Sequence, residues 1–226
     1  MITAQDIREK GFERARMGGY DMASVDEFLE ELADDVESRR YLLRCLMNVR
    51  EPRALTGRFL RAQDELLSAE REEKGVVHVN DLVPSSDSRL CVWQGDITRL
   101  DADAIVNAAN SALLGCFVPC HGCIDNAIHS AAGLQLREEC AKIMAVQGHE
   151  EPTGKAKITK GYNLPAKHVI HTVGPIIRTF VTRKDEELLA SCYRSCLQLA
   201  AQNGCRNIAF CCVSTGEFRF PNKKAA

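Results

Sequence analysis

From Arg89 onward the chain predicts an α/β fold, a mostly parallel or mixed sheet flanked by helices, with a helical region ahead of it. Three observations carry this reading. After Arg89, short apolar runs ended by turn residues alternate with stretches of helical periodicity. The residues before Arg89 read as helices separated by turns and a polar linker. With 226 residues, 45% hydrophobic and 27% charged, the chain can bury one sizeable core and a small appendage.

Residues 1–38 stand apart by charge, with 11 acidic against 4 basic residues in a chain whose net charge is only -2. Asp6 to Arg16 predicts a short helix and GGYD a turn. Ser24 to Glu27 forms a capping box that can satisfy the free amides of a helix start. Val25, Phe28, Leu29, Leu32 and Val36 then share one helical face. Residues 39–85 form a second helical stretch: RRYLLRCLMNV stopped by Pro52, then RFLRAQDELLSAEREEKG closing at Lys74 and Gly75, then the polar linker VPSSDSR. Within residues 86–226, LCVWQG, DAIVNAAN, AKITKGY, KHVIHTVG and NIAFCCVSTG predict strands. CIDNAIHSAA, QLREECAKIMAVQ and LLASCYRSCLQLAAQNG predict helices. In such sheets the ligand crevice lies beyond the carboxyl ends of the strands.

Composition excludes several classes. The near-neutral charge and scattered Lys and Arg argue against a nucleic-acid partner. No apolar run reaches the roughly 18 residues of a spanning helix. The first residues lack the apolar stretch of a signal peptide, so a cytoplasmic location is expected. The 11 cysteines are odd in number and match no small stapled scaffold, so they are expected to be reduced thiols. Cys192, Cys196, Cys211 and Cys212 are expected to pack in the core.

The densest chemistry is GCFVPCHGCIDNAIH at 115–129. Thiolates and imidazole are the ligands zinc prefers, and Cys116, Cys120, His121 and Cys123 are the candidates. Neighbours in an extended segment point to opposite faces, so Cys120 and His121 do not share a metal, whereas His121 and Cys123 can. Cys116 approaches from across the turn at Phe117 to Pro119. Three protein ligands leave a fourth position open, as in catalytic zinc. Asp125 and His129 lie four apart at the following helix start and face the same side. Asp125 either stays ionised beside the metal and orients a water or a sugar hydroxyl, or caps the helix, and His129 reads as a packed, hydrogen-bonded histidine. GDIT at 95–98 and NAAN at 107–110 place short polar residues at predicted strand ends. STGEF at 214–218, between a strand and a helix opened by Pro221, has the position of an anion cradle in which Gly216 lets backbone amides approach a phosphate.

WQGDIT, AIVNAAN, IDNAIH and the late Ser-Thr-Gly loop, in this order, resemble a macrodomain, and GCFVPCHGCIDNAIH is similar to the zinc-dependent subgroup. The resemblance implies a protein-ADP-ribose hydrolase, which removes mono-ADP-ribose from modified proteins with a catalytic zinc. It places the adenine at Asp96 and the Ile97 backbone, the distal ribose at Asn110, and the diphosphate on Ser214, Thr215, Gly216, Glu217 and Phe218. It gives zinc to Cys116, His121 and Cys123, and catalysis to Asp125 and Asn110. Two alternatives stay open: an ADP-ribose reader with a structural zinc, and an assembly scaffold driven by the N-terminal segment. That segment resembles the start of DivIVA-type cell-division scaffolds, which implies self-association through residues 1–38. Because the helix opened by Pro221 is cut short at Ala226, the macrodomain is expected to be incomplete at its C-terminus.

Overall fold

The computed structural model describes residues 36–225. The readings made for the first 35 residues, the Asp6–Arg16 helix and the Ser24 capping box among them, lie outside these. The described residues divide into two compact units, 36–50 with 117–121, and 51–116 with 122–225.

In the first unit, α1 (Val36–Val49) buries Leu42, Cys45, Met47 and Asn48. Leu42 and Cys45 form a small apolar cluster with Tyr41, Leu46 and Cys120.

The second unit begins with α2 (Gly57–Lys74), capped by the Thr56 hydroxyl accepting from the Phe59 amide and closed by Gly75 at φ 72. Four strands follow: β1 (Ala104–Ala108), β2 (Ala156–Lys160), β3 (His168–Thr172) and β4 (Ile208–Ala209). Their order in the sheet is β2-β3-β1-β4. β1 runs parallel to β3 and β4, while β2 is antiparallel to β3, which makes the expected mixed sheet. The helices are α3 (Ile124–Ala132), α4 (Leu134–Gln147), α5 (Arg183–Gln202) and the short α6 (Asn222–Ala225). α5 starts a turn earlier than its apolar pattern suggests, because Thr182 and Asp185 form a reciprocal capping box.

Strand alternation sorts the core into two faces. Ile105, Ala109 and Val169 pack with Ile128, Ala132, Leu136 and Cys140 from α3 and α4. Ala104, Val106 and Ile170 pack with Leu189, Cys192, Cys196 and Ala200 from α5. Asn107 and His171 share the α3 side by this period and are register partners across β1 and β3.

Two strand expectations need correction. LCVWQG forms only an isolated bridge between Cys91 and Pro84. Leu90 and Val92 are exposed, and Trp93 folds back over Gly95, where a Cβ would stand 2.2 Å from the indole ring. NIAFCCVSTG pairs with β1 over two residues only, after which Phe210 stacks on Tyr193 at 5.0 Å and the chain turns. Cys212 is therefore exposed instead of buried, whereas Cys192 and Cys196 are core residues as expected.

Candidate active site

The parallel strands β1, β3 and β4 end at the same edge of the sheet; Asn110 and the cysteine loop follow β1 there, and Ser214–Phe218 follows β4. β1 delivers Asn107 and Asn110. A turn in which the Asn110 side chain accepts from the Ala112 amide at 3.1 Å then redirects the chain. Gly115 holds φ 79, and a Cβ there would meet the His129 ring at 2.8 Å, so glycine is required immediately before the cysteine loop.

Cys123 caps α3: its sulfur accepts from the Asn126 amide at 3.4 Å. The capping role considered for Asp125 therefore belongs to Cys123. Asp125 turns inward instead and is 5% exposed. One of its oxygens accepts from Asn107 Nδ2 at 2.7 Å, and the other from Asn110 Nδ2 at 3.2 Å. Asn110 Nδ2 also donates to the Gly115 carbonyl at 3.0 Å, which ties the carboxylate to the loop. Burial pushes the Asp125 carboxyl up to about 6, against the opposing hydrogen bond from Asn107 and the charge of Arg137. At neutral pH the group is ionised yet close to its proton affinity, as suits an acid or base.

Behind Asp125 lies a neutral relay. The Thr159 hydroxyl donates to the Val169 carbonyl at 3.3 Å, so at 2.9 Å from His171 Nε2 it accepts a hydrogen from that nitrogen. His171 Nδ1 is thereby left to accept from Asn107 Nδ2 at 3.2 Å. Burial lowers His171 to about 3, so it stays neutral. His129 is also buried and neutral, but both its ring nitrogens lack hydrogen-bond partners among the described residues. Its Nε2 is 3.6 Å from Asp125. The expected packed histidine is present; the expected hydrogen bond is not.

The ligand atoms of Cys116, His121 and Cys123 all lie within 4.8 Å of one another. All three residues are half-buried. Burial, with Cys116 alongside, pushes the Cys123 thiol up to about 11, a cost that a bound cation would reverse. Two sulfurs and an imidazole at this spacing fit zinc. Cys120 stands outside this group, with its sulfur 3.4 Å from that of Cys45.

The remaining candidates are arranged as follows. Asp96 caps the short helical turn Ile97–Arg99 and accepts from the Thr98 amide and hydroxyl through one oxygen, at 2.9 and 2.7 Å. Its other oxygen has no protein partner among the described residues. Ile97 is buried. In the Ser214–Phe218 loop the strained residue is Ser214, at φ 65, not Gly216. A Cβ on Gly216 would meet open space, whereas one on Gly174 would lie 1.9 Å from Ser214 Oγ. Gly174, at the end of β3, is thus the glycine the loop depends on. The loop is closed by Phe220 N–H donating to the Ser214 carbonyl at 2.9 Å and Ile177 N–H to the Phe218 carbonyl at 2.8 Å. A separate cleft lined by Arg71, Lys74, Thr98, Arg99 and Asn163 shares only Thr98 and Arg99 with these features.

Asn107, His171, Thr159 and Gly174 were given no role by the sequence reading. The available signal was a polar side chain inside each of two apolar runs, AIVNA and HVIHT, where a buried polar group must find a partner.

Comparison with known proteins identifies the family and the fold. The Macro domain family model matches residues 106–226, and the DivIVA protein model matches residues 2–44. A protein-ADP-ribose hydrolase from Treponema medium is 55% identical over 199 residues, covering 87% of this chain and 76% of that protein. One from Staphylococcus aureus (strain MSSA476) is 52% identical over 186 residues, 82% of this chain and 70% of its own. The crystal structure of a Trypanosoma brucei macrodomain in complex with ADP-ribose superposes with TM-score 0.60 at 34% identity, covering 86% of this chain and 80% of that one. The Oceanobacillus iheyensis macrodomain with ADP gives TM-score 0.52 at 43% identity, covering 58% and 67%. The chain belongs to the macrodomain family.

Proposed function

We propose that this macrodomain hydrolyses mono-ADP-ribose from modified proteins, with zinc held by Cys116, His121 and Cys123. The observation that carries the reading is a buried carboxylate, Asp125, pinned through both oxygens by Asn107 and Asn110 and two residues from a Cys-His-Cys cluster. The names of its relatives and the ADP-ribose complex of a similar fold support it.

In this reading the adenine lies at Asp96 and Ile97, the diphosphate on Ser214–Phe218, and the distal ribose at Asn110. When bound, zinc supplies Lewis acidity toward an oxygen at the ribose end. Asp125 accepts a proton from water as its oxygen attacks the anomeric carbon. The bond from that carbon to the target's carboxylate breaks, and the carboxylate leaves as ADP-ribose forms. Asn107 and Asn110 hold Asp125 in position, so little reorganisation is needed.

The test is release of ADP-ribose from a mono-ADP-ribosylated protein with chelator, without it, and after zinc is restored. The account expects release to disappear and return while ADP-ribose binding persists throughout. Binding without release in the zinc-loaded protein would instead establish a reader. For residues 2–44, likeness to the DivIVA protein supports self-association. Light scattering with and without residues 1–38 checks it, and a monomer in both removes it.

A further inference from the structure

We infer that Cys45 and Cys120 form a reversible disulfide when the protein meets a hydroperoxide, an oxidation site separate from the proposed hydrolase chemistry. Their sulfurs stand 3.4 Å apart although 75 positions separate them in sequence. Two further contacts hold Cys120 there. Its amide donates to Asn48 Oδ1 at 2.8 Å, one helical turn beyond Cys45, and its sulfur lies 3.9 Å from the Tyr41 carbonyl. Its backbone is fixed at φ 49, a conformation unusual for a cysteine. A disulfide needs about 2.05 Å between sulfurs, within reach of small side-chain rotations from this contact.

Exposure assigns the roles. Cys120 is half-buried and meets the oxidant, while Cys45 is buried and resolves. The Cys120 thiolate attacks the distal peroxide oxygen, the O–O bond breaks, an alcohol or water leaves, and a sulfenic acid remains. The Cys45 sulfur then attacks the Cys120 sulfur, the S–O bond breaks, and water leaves. Two thiols and one hydroperoxide give one disulfide, one alcohol (or water) and one water. The bond would tether the residue directly before His121 to α1.

The experiment treats the whole chain, purified with zinc, with increasing hydrogen peroxide, traps sulfenic acids with dimedone, alkylates the remaining thiols and maps peptides without reduction. Expected is a Cys45–Cys120 linked peptide at monomer mass, lost on dithiothreitol treatment. Cys45→Ser should lose the link and carry dimedone on Cys120. Exposed Cys91 and Cys212 report single-thiol oxidation in the same sample. The inference is overturned if those two are labelled while Cys45 and Cys120 remain unlinked, or if Cys120 is joined to any other cysteine. Neither result bears on ADP-ribose release.

Discussion

The corner around Asp125 and the loop Ser214–Phe218 leave neighbouring strand ends of one sheet but are built from opposite materials. At the corner, side chains hold side chains: Asn107, Asn110, His171 and Thr159 are linked by hydrogen bonds, three of these four residues are fully or nearly fully buried, and the result is a fixed carboxylate. In the loop the backbone sets the shape, through a left-handed Ser214 and a glycine opposite it. Proton transfer needs one chemical group at one place, whereas a diphosphate can be cradled by amides that every residue carries. Substitution at the corner should therefore affect turnover, and substitution in the loop should affect binding.

The largest expected effect comes from the proposed zinc ligands. Cys123→Ala should lose zinc by elemental analysis and slow ADP-ribose release by about a hundredfold or more, the several kcal/mol a Lewis acid contributes. ADP-ribose affinity by calorimetry should change far less. Next is Asn107→Ala, which removes the 2.7 Å bond to Asp125 and the bond to His171 together. Turnover should fall by about tenfold, the worth of one charge-assisted hydrogen bond, with zinc and affinity retained; an equal loss of affinity would contradict the division of labour. Gly174→Ala should do the reverse. The Ser214 hydroxyl must move to admit the new methyl, so affinity should weaken by about tenfold, from overpacking of roughly 1–3 kcal/mol, while release at saturating substrate is kept.

The smallest effect concerns stability. His171 and His129 are neutral in the folded chain with lowered pKa values, His171 to about 3. The unfolded chain takes up protons at both below about pH 6.5, and the folded chain does not. Stability conferred by neutral His171 is complete above pH 6.5 and is lost as pH falls toward 3, by roughly 1 kcal/mol per pH unit, and His129 acts in the same direction. Asp125 opposes this, because its raised folded value of about 6 returns stability between pH 6 and its unfolded value near 4. Urea unfolding across pH 4–7 should show the net decline, and its slope should lessen in His171→Gln.

The same contrast explains what the sequence made legible. Helix limits follow from local chemistry: Gly75 closes α2 and Gly148 closes α4, each with positive φ. The Cys-His-Cys cluster was readable because its members lie within eight positions, where the alternation of an extended chain already separates Cys120 from His121 and Cys123. The partners of Asp125 were not. Asn107, which holds it, and His171 behind meet each other only after β1 and β3 pair in parallel, 64 residues apart. Nor could local pattern show that LCVWQG lacks a sheet neighbour, since apolar runs look alike whether paired or not. Gly174 escaped notice because its need for glycine comes from Ser214, 40 positions later.

The central claim is that a carboxylate at residue 125, fixed by two asparagines, takes the proton during ADP-ribose release. Single-turnover release by zinc-loaded Asp125→Asn tests it most directly, because the amide keeps the shape and removes the base. The account predicts wild-type zinc content, ADP-ribose affinity within a few-fold and release slowed by about 10²–10⁴-fold. Release at the wild-type rate from that protein would contradict it.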